Sequence, residues 1–251
     1  MEPVFRTLEI VAEAVARING TRITYHGLEH IPARGGAVVA INHTSYVDWL
    51  PAALAVKQRR RRMRFMIKAE MERVRIVGFL IRHTGTIPVD RRAGAGAYAA
   101  AVQSLRAGEL VGVYPEATIS RSFELKEFKT GAARMAIEAG VPIVPLIVWG
   151  AQRVWTKDHP RAVGRSRIPI TVVVGEPIAA AEPVSELSVT LREAMGALLD
   201  RAQSDYPHPA GEYWVPRRLG GGAPTIEEAR RLDEAELAER ARRRAEGGRP
   251  T

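Results

Sequence analysis

Two hydrophobic periods alternate along this chain. Short apolar runs, many of them β-branched and bounded by Gly, Asn or Pro, recur at residues 38–41, 65–67, 85–89, 110–114, 141–149 and 168–174. Runs of that length predict buried strands, and residues 21–26 (TRITYH) add a strand of alternating polarity in front of them. Between the runs, apolar residues return every three or four positions, which predicts helices over 46–55, 74–81, 95–105, 132–139 and 185–202. Strand and helix in alternation over residues 20–205 predict an α/β domain with a mainly parallel central sheet flanked by helices. Pro142 and Pro145 make 141–149 irregular as a central strand at its start; the run lines an apolar channel or is plain core, and plain core is the preferred reading.

The two ends follow other patterns. Val4, Leu8, Val11, Val15 and Ile18 recur at helical spacing and predict an amphipathic N-terminal helix over residues 1–19, packed on the domain or docked on a membrane. Gly220, Gly221 and Gly222 read as a linker within residues 206–251. Thr225 and Glu228 form a capping-box signature that opens a charged helical tail with no part in catalysis, fraying near Gly247. With no basic stretch leading into an apolar one and no run of 18 apolar residues, neither a secretory signal nor a membrane-spanning helix is expected.

Composition narrows the chemistry. The chain has no cysteine, which excludes disulfides and thiolate-bound metal, and no His/Asp/Glu cluster at ligand spacing, so neither a metal nor a resident cofactor is expected. A formal net charge of +9 favours polyanionic partners: nucleic acid, anionic lipid or a phosphorylated substrate. Six of the eight residues at 57–64 (KQRRRRMR) are basic. No aromatic residue interleaves with them as a base-stacking groove requires, so lipid or a phosphate-rich substrate ranks ahead of nucleic acid.

The chemistry-bearing residues lie where apolar runs stop. His43 follows the run 38–41, and Asp48 stands five residues on. On one continuous helix five residues turn about 140°, so the pair meets only if His43 precedes the helix and Asp48 sits in its first turn. Asp48 then orients one ring nitrogen and leaves the other as a general base. The competing reading makes Asp48 an ordinary first-turn carboxylate beneath a Ser45 cap. Arg91, just past the run 85–89, suits a phosphate held bidentately or an ion pair. The G-x-G-x-x-A match at residues 94–99 does not follow its strand directly and reads as the start of a helix rather than a dinucleotide site. Glu116 and Thr118, beyond the run 110–114, suit binding a polyol or steadying a basic side chain.

Four blocks in fixed order resemble the acylglycerol-phosphate (lysophosphatidate) acyltransferases, a glycerolipid acyltransferase family. Asn42-His43-Thr44-Ser45-Tyr46-Val47-Asp48 is similar to its H-x-x-x-x-D block, Ile87-Pro88-Val89-Asp90-Arg91 to its second, Tyr114-Pro115-Glu116-Ala117-Thr118-Ile119-Ser120 to its third, and Val141-Pro142-Ile143-Val144-Pro145 to its fourth. The resemblance implies acyl transfer from an acyl-CoA or acyl-carrier-protein thioester to a hydroxyl of lysophosphatidate or a related glycerol phosphate, in phospholipid synthesis. His43 is then the base, Asp48 its orienting partner and Arg91 a phosphate ligand. It also implies a protein held on the cytoplasmic face of a membrane, peripherally or monotopically. In the third block Ala117 replaces the family's usual Gly and Ile119 its Arg. Arg121, Lys68 and Lys129 are the candidates to supply the missing cation. Another lipid alcohol or lysophospholipid as acceptor, or a basic nucleic-acid- or lipid-binding protein without catalysis, are the alternatives.

Overall fold

Among the described residues, the predicted runs become seven strands of one sheet: β1 (Arg22–His26), β2 (Ala37–Ile41), β3 (Met63–Lys68), β4 (Ile87–Val89), β5 (Leu110–Val113), β6 (Ile143–Trp149) and β7 (Pro169–Val174). Five α-helices accompany them among the described residues: α1 (Trp49–Gln58), α2 (Gly94–Arg106), α3 (Gly131–Ala139), α4 (Val184–Ser204) and α5 (Ile226–Gly247). This is a computed structural model, and it describes residues 20–68, 86–89, 94–162, 164 and 167–247. The helices expected over 1–19 and 74–81 lie outside the described residues.

The sheet order is β1-β7-β6-β2-β5-β3-β4. Strands β2 to β6 run parallel where they pair, β7 is antiparallel to β6, and β1 is parallel to β7. The sheet is therefore mainly parallel, as the alternation of strands and helices predicts. Every residue of β2 is buried, because helices cover both faces of a parallel sheet. Ala37, Val39 and Ile41 pack with Ala52, Ala55 and Val56 of α1. The intervening Val38 and Ala40 point to the opposite face, the one on which α2, α3 and α4 pack against one another. Each fully buried Val, Ile or Leu contributes about 1.5–3 kcal/mol, which holds β2 at the centre despite the polar residues at its end.

Three local expectations change. Helix α1 begins at Trp49 rather than Tyr46, because residues 43–48 form a turn whose main-chain N–H groups are bound by Asp48. Strand β6 is regular and wholly buried despite Pro145. Its even positions bond towards β2, as Val38 N to Pro142 O and Asn42 N to Leu146 O show, and its odd positions face β7. The missing N–H of Pro145 therefore points to the β7 side, where the ladder breaks between the Ile143–Ile178 bridge and the Leu146–Val174 pair. The basic run is partly structural. Arg61 donates to the carbonyls of Pro32 (2.7 Å), Gly35 (2.9 Å) and Gly108 (2.8 Å), and Arg64 is paired bidentately with Glu109. Those partners lie before β2 and β5, so the run sits at the amino end of the sheet, about 15 Å along α1 from Asp48.

The chain divides into two units, one running to Ile119 and resuming over Glu127–Tyr206, the other formed by Ser120–Lys126 and the chain from Pro207 onward. The second unit is more ordered than a linker and tail. Arg121 pairs with Asp233 and, at 2.9 Å, with Glu236; Lys126 also pairs with Asp233, and Arg218 with Glu124 at 2.8 Å. The capping box forms reciprocally: Thr225 N donates to Glu228 (2.8 Å), and Glu228 N to the Thr225 hydroxyl (3.2 Å). Gly221 belongs to a packed turn rather than an open connector, since a Cβ there would stand 1.9 Å from the Val215 carbonyl oxygen.

Candidate active site

His43 leaves the carboxyl end of β2, and the third block leaves the carboxyl end of β5. The two strands are parallel neighbours in a register that pairs Ala40 with Val113, so both segments emerge side by side. Asn42 closes the strand between them and β6. Its side-chain amide donates to Val148 O (3.0 Å) and its carbonyl accepts from Val148 N (2.7 Å), continuing the β2–β6 ladder with a side chain. A buried amide is stable only when its polar atoms are bonded in this way.

Within the turn, Asp48 is fully buried. Its Oδ2 accepts from Thr44 N (2.8 Å) and Ser45 N (2.7 Å) and lies 3.2 Å from Nδ1 of His43. A carboxylate that accepts two main-chain N–H groups is fixed in direction, so it selects the tautomer with the proton on Nδ1 and leaves Nε2 as the acceptor. The His43 side chain is 20% exposed, so that nitrogen can meet a substrate. Burial pushes the Asp48 carboxyl above its ordinary pKa, opposed by its hydrogen bond and charge interaction with His43 and by the two N–H donors.

Two groups from the β5 loop steady the histidine, and sequence reasoning missed both arrangements. Glu116, 4% exposed, accepts from His43 N at 2.8 Å, so its oxygen holds the main chain of the histidine. The Tyr114 ring stacks on the imidazole at 4.1 Å between centroids with 23° between planes. Burial, then the Asp48 charge, raises the Tyr114 phenol well above its usual pKa, so it remains neutral. Register carried the signal: Tyr114 follows Val113 on the strand beside β2, but strand order is not visible along the chain.

A third segment, after β6, buttresses the far side of the turn. Trp155 O accepts from the Ser45 hydroxyl (2.6 Å) and from Tyr46 N (3.1 Å), and the Thr156 hydroxyl donates to Thr44 O (2.7 Å). The Tyr46 and Trp155 rings meet at 4.5 Å, and the Arg161 guanidinium carbon lies 3.6 Å from the Trp155 ring centroid. Tyr46 and Trp49 are 43% and 47% exposed.

The other sequence candidates are distributed unevenly. Thr118 is half-buried in the Glu116 loop, and Lys129 N donates to Pro115 O at 2.8 Å, with its side chain exposed. Ile119, where the resembled family carries Arg, is buried. Arg121 belongs to the second unit, where its guanidinium binds Asp233 and Glu236. Lys68 ends β3. Arg91, beyond the end of β4 at Val89, lies outside the described residues. Gly96 lies in the first turn of α2, and a Cβ there would meet no protein atom within 4 Å. Among the described residues no group of three or more His, Asp and Glu side chains is placed to hold a metal ion.

Comparison with known proteins places this geometry in context. A family model described as "Acyltransferase" matches residues 22–149. Two curated 1-acyl-sn-glycerol-3-phosphate acyltransferases are similar to the chain. That of Borreliella burgdorferi is 28% identical over 144 residues, covering 55% of this chain and 56% of that protein. That of Bacillus subtilis is 27% identical over 129 residues, covering 51% and 63%. The match thus spans less than two thirds of the length of either relative. Among solved structures, the 1-acyl-sn-glycerophosphate acyltransferase PlsC of Thermotoga maritima superposes with a TM-score of 0.68 at 21% identity, covering 82% of each chain, a likeness of fold.

Proposed function

The chain belongs to the acyltransferase family, and from that premise we propose that it moves a fatty acyl group from an acyl thioester to a hydroxyl of lysophosphatidate or a related glycerol phosphate, a step of phospholipid synthesis. The observation that carries the reading is the His43–Asp48 contact, in which a buried carboxylate held by two main-chain N–H groups turns Nδ1 inward. Nε2 takes the proton of the acceptor hydroxyl as its oxygen attacks the thioester carbonyl carbon. The carbon–sulfur bond then breaks, and the departing thiolate takes the proton from the imidazolium, so the histidine returns to its starting state. Asp48 stabilises the imidazolium between the two transfers. No nucleophilic Ser or Cys, metal or resident cofactor is required; acyl-CoA or acyl-carrier protein serves as co-substrate.

Arg91, Lys68 and Lys129 are the proposed ligands of the acceptor phosphate, with Thr118 ordering a hydroxyl. Glu116 works through His43, whose main chain it holds. Arg121 drops out of this set because of its partners. The protein acts from the cytoplasmic face of an anionic membrane as a peripheral enzyme. No described helix is long and apolar enough to cross a membrane, while the exposed rings of Tyr46 and Trp49 beside the turn suit the interface at which aromatic side chains accumulate. Nucleic acid is not proposed as a partner.

The test is product formation from palmitoyl-CoA with lysophosphatidate, glycerol phosphate and other lysophospholipids, followed by mass spectrometry beside His43→Ala. The expected result is acylation of lysophosphatidate that disappears in a folded His43→Ala variant. Undiminished transfer by that variant would exclude His43 as the base.

A further inference from the structure

We propose that Arg161, laid on Trp155 beside the His43 turn, binds a phosphate group of one of the two substrates. The inference rests on the acyl-transfer reading above. It starts from a deficit: the third block lacks its cation, Ile119 being buried and apolar, and the nearest replacement in sequence, Arg121, is bound to Asp233 and Glu236. Of the basic run, Arg61 is committed to three carbonyls and Arg64 to Glu109, both at the amino end of the sheet.

Arg161 is differently placed. The segment after β6 is pinned to the catalytic turn by the Ser45, Tyr46 and Thr156 hydrogen bonds, and Ala162 N closes it on Val154 O at 2.9 Å. Trp155, so fixed, carries the Tyr46 ring at 4.5 Å and the Arg161 guanidinium at 3.6 Å. Among the described residues no carboxylate pairs with Arg161. A guanidinium stacked through its flat face keeps its N–H edge directed outward in the plane of the group, the geometry that grips two phosphate oxygens at once. Stacking also restricts the side chain beforehand, so less freedom is lost on binding. The site takes a phosphate monoester or diphosphate, borne by the acceptor lipid or by the coenzyme A portion of the donor.

Steady-state kinetics on the full chain separate the two sources. Arg161→Ala, Arg161→Lys and wild type are compared with short-chain lysophosphatidate against monoacylglycerol as acceptor, and with acyl-CoA against an acyl-N-acetylcysteamine thioester as donor. Loss of a bidentate charge-assisted contact raises KM for the phosphate-bearing substrate about tenfold or more, with kcat within about twofold. Preference over the phosphate-free analogue falls by the same factor, and Lys restores part of it. A rise confined to lysophosphatidate assigns the acceptor phosphate; one confined to acyl-CoA assigns the donor. Unchanged KM for both, or a fall in kcat alone, overturns the proposal. Calorimetric binding of lysophosphatidate and of CoA to the same variants keeps it separate from the transfer reading. A wild type that binds but transfers nothing refutes transfer, and the Arg161→Ala affinities still decide the site. Equal affinities in wild type and variant, or no binding to wild type, overturn it.

Discussion

Replacing Asp48 by Asn tests whether the carboxylate acts through its charge. The oxygen that bonds Thr44 N, Ser45 N and Nδ1 of His43 remains available in the amide, so the turn and the tautomer persist while the negative charge goes. At a separation of 3.2 Å and an effective dielectric of about 20, a unit charge pair interacts by about 5 kcal/mol. Charge delocalised over both groups lowers that to roughly 3–5 kcal/mol. At 1.36 kcal/mol per tenfold, kcat/KM falls about 10²- to 10⁴-fold. The stability change is small at neutral pH, because removal of a buried charge offsets the cost of an amide NH₂ placed where Asp48 Oδ1 has no hydrogen-bond partner.

The pH dependence has a definite sign. Burial raises the folded-state pKa of Asp48 above its ordinary 3.8, so between those values the folded chain binds more protons than the unfolded one. The wild type therefore loses stability as pH rises through that window, and the loss is complete above the folded pKa. Asp48→Asn lacks this loss, so its stability relative to wild type improves from acid to neutral pH in denaturant titrations. Rates are read from thiol released by acyl-CoA, against a chain that contributes no cysteine of its own. Activity within tenfold of wild type at an unchanged melting temperature would refute the electrostatic role.

Other substitutions probe the supports of the site. Glu116→Ala leaves His43 N without its carboxylate acceptor and costs about 1–3 kcal/mol with a loss of rate; Glu116→Gln, which keeps an oxygen there, retains most of both, as thermal melts and turnover will show. Ala117 holds φ at +61°, a region that costs a residue with a Cβ about 1 kcal/mol, so Ala117→Gly is expected to raise the midpoint of denaturation slightly and leave kcat unchanged. Arg61→Ala removes three hydrogen bonds to loop carbonyls and destabilises by about 1–3 kcal/mol. The exposed Arg59→Ala costs under about 0.5 kcal/mol, and chemical denaturation of the pair separates structure from mere charge in the basic run.

The contrast between residues read correctly and those missed follows the range of the forces involved. His43 and Asp48 are five residues apart, and the stop of an apolar run before a helix is local information, so their contact was legible. The same holds for the Thr225–Glu228 capping box and for the central strands β2, β5 and β6, whose burial follows from their apolar runs. The start of α1 was misplaced by three residues because Asp48 gathers the Thr44 and Ser45 N–H groups into a turn, which the Ser45 hydroxyl ties to Trp155 O, a partner 110 residues away. Regular pairing through Pro145 depended on which edge of β6 meets the break in the β7 ladder.

Local period and polarity by themselves determined that this chain builds an α/β sheet and that a histidine at a strand's end has a carboxylate five residues on, within reach of it. They did so because side-chain alternation and helix turns are properties of a few consecutive residues. Only the tertiary structure decided that Glu116 and Tyr114 serve His43, that Trp155 carries Arg161 beside it, that Arg121 is committed to Asp233 and Glu236, and that Arg61 clamps loops at the amino end of the sheet. Those assignments follow from strand order and chain return, which are set by long-range burial of whole faces and leave no mark on the spacing of neighbouring residues.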